Sequence, residues 1–221
     1  MSEKLNNEKP LYVLDFDKTL LDTSSMLEEL YDAAEQTDLE LKNKLVEYNT
    51  ERLSLGRERP MFQPTDVLGD SKDEVFEKMT QNISQSEKEF IYPDAKRLIE
   101  KIQNLGGMAV ILTFGNRHWQ EAKTKSVFTK EGYDLPIIYT DKKIKSKTIL
   151  ENLDYENGIY RMGSHESKKI VGVGDEITDF FGYEVLPNAE GYLIDRHDKK
   201  NDTLPNNVRK INSLDQVELS E

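Results

Sequence analysis

Two aspartates two residues apart, Asp15 and Asp17, follow directly on the apolar run Leu11-Tyr12-Val13-Leu14. A second apolar run, residues 108–112, leads into Thr113, Phe114, Gly115 and Asn116. A third, residues 170–173, leads into Gly174-Asp175-Glu176, with Asp179 four residues beyond Asp175. Grouped carboxylates are oxygen ligands for a hard divalent cation and can pass protons, while a hydroxyl and the backbone amides beside a glycine can hold an oxyanion. These sets form one site only if the apolar runs are parallel strands ending on the same edge, because ligands of open α/β sheets sit in the crevice at the carboxyl ends of the strands.

The segments between the runs have the character such a sheet needs. Each short apolar run bounded by polar or turn residues reads as a buried strand. Pro93-Asp94 opens an amphipathic helix over residues 95–105, and Gly106-Gly107 closes it, the expected proline start and glycine stop. A helix over 118–128, a strand at 136–139, a short helix at 148–153 and a last strand at 192–194 complete the alternation, with an irregular tail beyond. Strands alternating with helices imply a parallel sheet. Asn157-Gly158, central to residues 155–162, is a two-residue hairpin dipeptide and implies a small antiparallel addition.

Residues 24–90 differ: they are rich in Glu, Lys, Leu and Gln, with apolar residues at helical spacing in Met26, Leu27, Leu30, Tyr31 and Ala34. Gly56, Pro60 and Pro64 mark a loop between helices, with a further helix over 67–80. The expected architecture is an α/β, doubly wound, mostly parallel, Rossmann-like core, residues 1–23 and 91–221, carrying an inserted all-helical domain, residues 24–90.

Composition narrows the function. At 221 residues the chain is long enough for one core with one appendage. Its formal charge of −12, from 42 acidic and 30 basic residues, opposes binding to nucleic acid or anionic lipid. A phosphorylated substrate would then need local charge cancellation by a divalent cation, a lysine or backbone amides. The absence of cysteine excludes disulfides, a thiolate nucleophile and a thiolate zinc site, and three dispersed histidines at 118, 165 and 197 make a histidine metal centre improbable. No apolar stretch approaches a bilayer span and residues 1–9 lack an apolar signal core, so the expected compartment is the cytoplasm.

Asp15-Phe16-Asp17-Lys18-Thr19-Leu20 resembles the D-x-D-x-T-L signature of the haloacid dehalogenase-like superfamily. Leu112-Thr113 resembles its second motif, and Val173-Gly174-Asp175-Glu176-Ile177-Thr178-Asp179 its fourth, an apolar strand ending in G-D-x-x-x-D. Three motifs in order, each at the end of an independently expected strand, carry a resemblance that spans residues 11–194. A lysine belongs between the second and fourth; Lys147, just before the short helix, is the choice, with Lys145 next and Lys142 and Lys143 nearby.

The resemblance implies a magnesium-dependent phosphatase. Asp15 would attack the phosphoryl group and form an aspartyl-phosphate, and Asp17 would protonate the leaving alcohol and then deprotonate the attacking water. Mg2+ would take the Asp15 side chain, the Asp17 backbone carbonyl and Asp175, with Asp179 and Glu176 ordering metal-bound water or the lysine. Thr113 and the amides from Phe114 through Gly115 to Asn116 would bind the phosphoryl oxygens, and Lys147 would neutralise charge beside Asp15. Dehalogenases of the superfamily lack an acid at the position of Asp17, since a halide leaves unprotonated.

Each residue also has a plainer reading: Thr113 as a helix cap, Asp179 as a first-turn residue favoured by the helix dipole, His118 and Trp119 as packing residues. The insertion is similar in position to the superfamily's cap domains, and Arg52, Arg57 and Arg59 are candidates for meeting a substrate anion. Lys18 departs from the motif, standing where glycine is usual. Two other functions fit the same residues: a phosphomutase of sugar phosphates, and a non-catalytic module binding a phosphorylated ligand or a protein. The expected partner is a small phosphorylated substrate, with no nucleic acid and no membrane.

Overall fold

The structure is a computed structural model that describes residues 9–56, 59–142, 144–162, 165–196 and 203–219. In chain order its elements are β1 (Leu11–Leu14), α1 (Thr23–Thr37), α2 (Leu39–Ser54), α3 (Pro64–Leu68), α4 (Lys72–Gln85), α5 (Pro93–Asn104), β2 (Met108–Phe114), α6 (Arg117–Glu131), β3 (Ile137–Thr140), α7 (Lys145–Asn152), β4 (Asp154–Glu156), β5 (Ile159–Met162), β6 (His165–Ser167), β7 (Ile170–Gly174), β8 (Ala189–Ile194) and β9 (Val208–Ile211). The sheet is six-stranded, ordered β3-β2-β1-β7-β8-β9. β1 pairs parallel with both β2 and β7, and β7-β8 and β8-β9 continue the parallel run.

The apolar runs become strands because both faces of a helix-flanked parallel sheet are covered, so continuous rather than alternating hydrophobicity is what fits. All four residues of β1 are buried. Leu11, Val13, Val110, Leu112, Ile170 and Leu193 contribute to one core cluster with Ile149 of α7 and Phe180 and Tyr183 beyond β7. The fold class expected from the sequence is the one observed, an α/β sheet of Rossmann-like topology.

Two compact units divide the chain. One holds the residues up to Leu21, Ile91–Thr113 and those from Leu135 on; the other holds Asp22–Phe90 and Phe114–Asp134. The second unit is helical, and it includes α6, which the sequence pattern assigns to the α/β core. Within it α1 packs on α2 and α4, and α4 on α6. Trp119 of α6 lies against the rings of Phe62 and Phe76, and the hydroxyls of Thr80 and Ser126 meet at 2.7 Å. Asp22 opens the unit as N-cap of α1, accepting from Ser24 N and Ser25 N.

Three features depart from the sequence expectation. The helix expected over 67–80 is two, α3 and α4, joined by the 3-10 turn Gly69–Ser71. The hairpin around Asn157-Gly158 forms, both residues having positive φ of 54° and 80°, and β6 adds a third strand to it. The tail is not irregular throughout: Val208–Ile211 forms edge strand β9. Among the described residues no helix is long and apolar enough to cross a membrane.

Candidate active site

Asp15 is the first residue after the central strand. Its backbone N–H donates to Val173 O at 2.8 Å, extending the β1-β7 ladder by one rung and fixing the side chain at the carboxyl edge of the sheet. The chain then turns sharply: Leu20 N and Leu21 N both donate to Phe16 O, at 3.0 and 2.9 Å, and Lys18 N to Leu21 O at 2.9 Å. This turn carries Thr19 back over the aspartate, where its hydroxyl donates to Asp15 Oδ2 at 2.7 Å. Thr19, a motif position with no role read from the sequence, therefore sets the rotation of the carboxylate. Asp17, half-buried, bridges to Leu21 in the same turn.

The lysine of the site is Lys145, not Lys147. Lys145 is the first residue of α7 and is buried, its Nζ donating to Asp15 Oδ1 and lying 2.8 Å from Asp179 Oδ1. Lys147 is exposed. The reason is helical geometry: successive residues are about 100° apart, so Lys145 shares a face with the buried Thr148 and Ile149, three and four residues on, while Lys147 points about 200° away. Lys142 pairs with Glu151 at the surface, and Lys143 lies outside the described residues.

After β7 the chain makes a single 3-10 turn, Ile177–Phe180, with a reciprocal capping box: the backbone N–H of Glu176 donates to Asp179 Oδ2 at 3.1 Å, and the Glu176 side chain accepts from the turn. Glu176 thus acts on the turn and not on the lysine. Asp179 is buried and aimed at Lys145. Gly174 allows this approach, since a Cβ there would stand 2.3 Å from Asp179 Oδ2. Asp15, Asp175 and Asp179 each offer a carboxylate oxygen within 4.8 Å of the other two. Asp17 contributes no side-chain oxygen to this cluster.

Burial pushes the Asp15 carboxyl up to about 6; the neighbouring Lys145 opposes this, and Asp179 adds to it. Burial alone would lower the Lys145 ammonium, but Asp15 and Asp179 outweigh it and hold the lysine well above its ordinary value. Three carboxylates against one ammonium leave an excess of about two negative charges. That excess and the all-oxygen donor set suit a hard divalent cation, for which Asp15, Asp175 and Asp179 would supply side-chain ligands.

Thr113, buried near the end of β2, has the hydroxyl that the second motif needs. The residues after it are turned to the start of α6. Asn116 N-caps that helix, its Oδ1 accepting from Trp119 N at 3.0 Å and its Nδ2 donating to Thr65 Oγ1 at 3.1 Å. Gln120 donates to Phe114 O at 2.9 Å and crosses Gly115 so closely that a Cβ there would lie 2.5 Å from its Nε2. The Asn116 side chain therefore caps α6, a structural role beside the backbone-amide contact expected of this residue. Arg52 is likewise committed inside the helical unit, to Asn49 Oδ1, Pro60 O and the face of Phe62. Arg59 is exposed and donates to Gly56 O, and Arg57 lies outside the described residues.

Comparison with known proteins shows the family and supports the fold. A model of the haloacid dehalogenase-like hydrolase family matches residues 10–182, and the chain belongs to that family. No curated protein sequence matches it. Among solved structures it is similar to a putative haloacid dehalogenase-like hydrolase from Burkholderia xenovorans, at 16% identity, TM-score 0.58 and 94% coverage of both chains. It is similar to the putative hydrolase YfnB from Bacillus subtilis, solved bound to magnesium, at 14% identity, TM-score 0.55 and coverage of 94% of this chain and 96% of that one. CbbY from Rhodobacter sphaeroides, solved in complex with phosphate, matches at 11% identity, TM-score 0.58 and the same coverage. At these identities the likeness is one of fold.

Proposed function

We propose that the chain is a magnesium-dependent phosphomonoester hydrolase that acts on a small phosphorylated metabolite through an aspartyl-phosphate on Asp15. One observation carries the reading: a buried aspartate at the carboxyl end of the central strand is gripped by Thr19 and Lys145 while Asp175 and Asp179 converge on it. In the first step an Asp15 oxygen bonds to phosphorus as the ester P–O bond breaks, and Asp17 gives the leaving alcohol its proton. In the second, Asp17 takes a proton from water, the water oxygen bonds to phosphorus, and the bond to Asp15 breaks, releasing phosphate.

Lys145 balances charge between nucleophile and phosphoryl group, and Asp179 keeps its ammonium aimed at Asp15. Thr113 offers its hydroxyl to a phosphoryl oxygen. Bound magnesium would mask the negative charge of the phosphoryl group. An acid at position 17 favours an alkoxide leaving group over a halide and so supports this reading over dehalogenation. YfnB bound to magnesium and CbbY bound to phosphate are family precedents for both ligands, each in its own protein.

The test is phosphate release from sugar phosphates, nucleotides, phosphoamino acids and an aryl phosphate, with magnesium and with chelator, for wild type and Asp15→Asn. Magnesium-dependent release lost in the variant is expected. Wild-type activity retained by Asp15→Asn overturns the mechanism, and isomerised sugar phosphate without free phosphate overturns hydrolysis as the outcome.

A further inference from the structure

The turn that delivers Asp17 and Thr19 is under local strain. Lys18, between them, sits at φ 60°, the left-handed region that crowds the Cβ of any residue but glycine. Something outside the turn must hold it. Arg196, two residues beyond β8, donates through Nη2 to Thr19 O at 2.8 Å and through Nε to Lys18 O at 3.3 Å. Its other contacts orient the guanidinium. Asp94 accepts bidentately, from Nη1 at 3.0 Å and Nη2 at 3.0 Å, and the Tyr92 ring lies 3.9 Å from the guanidinium carbon. Asp94 in turn accepts from Leu214 N at 2.9 Å and Ser213 Oγ at 3.3 Å.

A planar cation with donors in a fixed fork can make both sets of contacts at once, one edge meeting a carboxylate while the remaining N–H groups reach two consecutive carbonyls. A bidentate Arg–Asp pair by itself would be a structural clamp between the start of α5 and the C-terminal segment. The two backbone bonds go further, because Thr19 carries the hydroxyl on the nucleophile and Lys18 is bonded directly to Asp17. We infer that Arg196 is a positioning residue for the reaction: by pinning the Lys18 and Thr19 carbonyls it sets the orientation of the Asp15 carboxylate and the presentation of Asp17. The inference rests on the phosphatase reading for its kinetic consequence, but its structural content stands apart from it.

The experiment compares Arg196→Lys with Arg97→Lys. The second breaks another bidentate pair to the C-terminal segment, with Asp215 at 2.9 and 2.6 Å, without touching the turn. Two readouts are taken: hydrogen exchange in peptides bearing the Lys18, Leu20 and Leu21 amides, and kcat and KM on an alkyl and an aryl phosphate. For Arg196→Lys, exchange at the turn is expected to rise at least tenfold. The kcat on the alkyl phosphate, whose leaving group needs the Asp17 proton, is expected to fall at least tenfold, against threefold or less on the aryl phosphate, with KM within twofold. Arg97→Lys leaves all of these at wild-type values.

Unchanged exchange in Arg196→Lys, or equal kcat losses on the two substrates, overturns the inference. Should wild type release no phosphate, the phosphatase reading falls, while the exchange arm still decides whether Arg196 holds the turn. Asp94→Asn keeps the arginine but weakens its orientation. It shifts both readouts the same way by less, and decides the matter if the arginine variants fail to fold; an unaltered turn in Asp94→Asn would then count against the inference.

Discussion

Replacing Asp15 by asparagine removes a charge that burial disfavours, so the variant should be inactive and, without metal, more stable than wild type. The folded-state pKa of about 6 stands roughly 2 units above the ordinary value of 3.8. The sign follows from proton binding: between about pH 4 and 6 the folded state holds the proton more tightly than the unfolded state, so stability falls as pH rises through that window. At about 1.36 kcal/mol per unit the cost is about 3 kcal/mol at pH 7 and little more than half of that at pH 5.

Lys145 loses one anionic partner but retains Asp179 at 2.8 Å, and the asparagine carbonyl can still accept from it, so the net gain should be about 1–3 kcal/mol. For a chain of this size that raises Tm by roughly 2–12 °C. Differential scanning fluorimetry in chelator at pH 7 and pH 5 measures it. Adding magnesium should then stabilise wild type more than the variant, by about 2.7 kcal/mol at a hundred times Kd, narrowing or reversing the order. An Asp15→Asn protein less stable than wild type in chelator at pH 7, or a difference that does not shrink toward pH 5, refutes the reasoning.

Three further substitutions test the roles assigned to Lys145, Lys147 and Asn116. Lys145→Met should lower kcat about 10²–10³-fold, the scale for losing one group that stabilises developing charge, while Lys147→Met stays within about twofold; steady-state phosphate release reads both. Asn116→Ala, which keeps the backbone amide, should cost about 1 kcal/mol of stability in chemical denaturation through loss of the α6 N-cap, with KM for substrate unchanged at a temperature where the protein is folded; a large rise in KM would show that the side chain also meets the substrate.

The strands at the centre of the sheet were legible because burial on both faces leaves unbroken apolar runs, as in Leu11–Leu14 and Ile170–Gly174. β9 was not, since its Val-Arg-Lys-Ile pattern buries only the two ends and exposes the basic pair between. Motif spacing located Asp15, Asp175 and Asp179, which the fold brings together. Lys145 had a signal that spacing from the expected helix start obscured: it stands four residues before Ile149, on that residue's face, once α7 is seen to begin at 145 instead of 148. The cap made by the Asn116 side chain was obscured by the backbone amides of residues 114–116, which read as oxyanion donors. The Arg196–Asp94 pair has no local signature, since the two residues are far apart in sequence and meet only through the fold.

The parallel pairing of β1 has a consequence for biosynthesis. Leu11 pairs with Met108, about 100 residues later, and with Ile170, about 160 residues later. At a ribosomal rate of about 5–20 residues per second, the run Leu11–Leu14 leaves the exit tunnel roughly 5–20 s before its first neighbour strand exists, and longer before its second. During that interval an apolar strand with two unsatisfied edges has no native partner, the kind of segment that aggregates or recruits chaperones. The order of the strands that puts the candidate nucleophile at the centre of the finished sheet also makes its strand the one that waits longest for both of its neighbours.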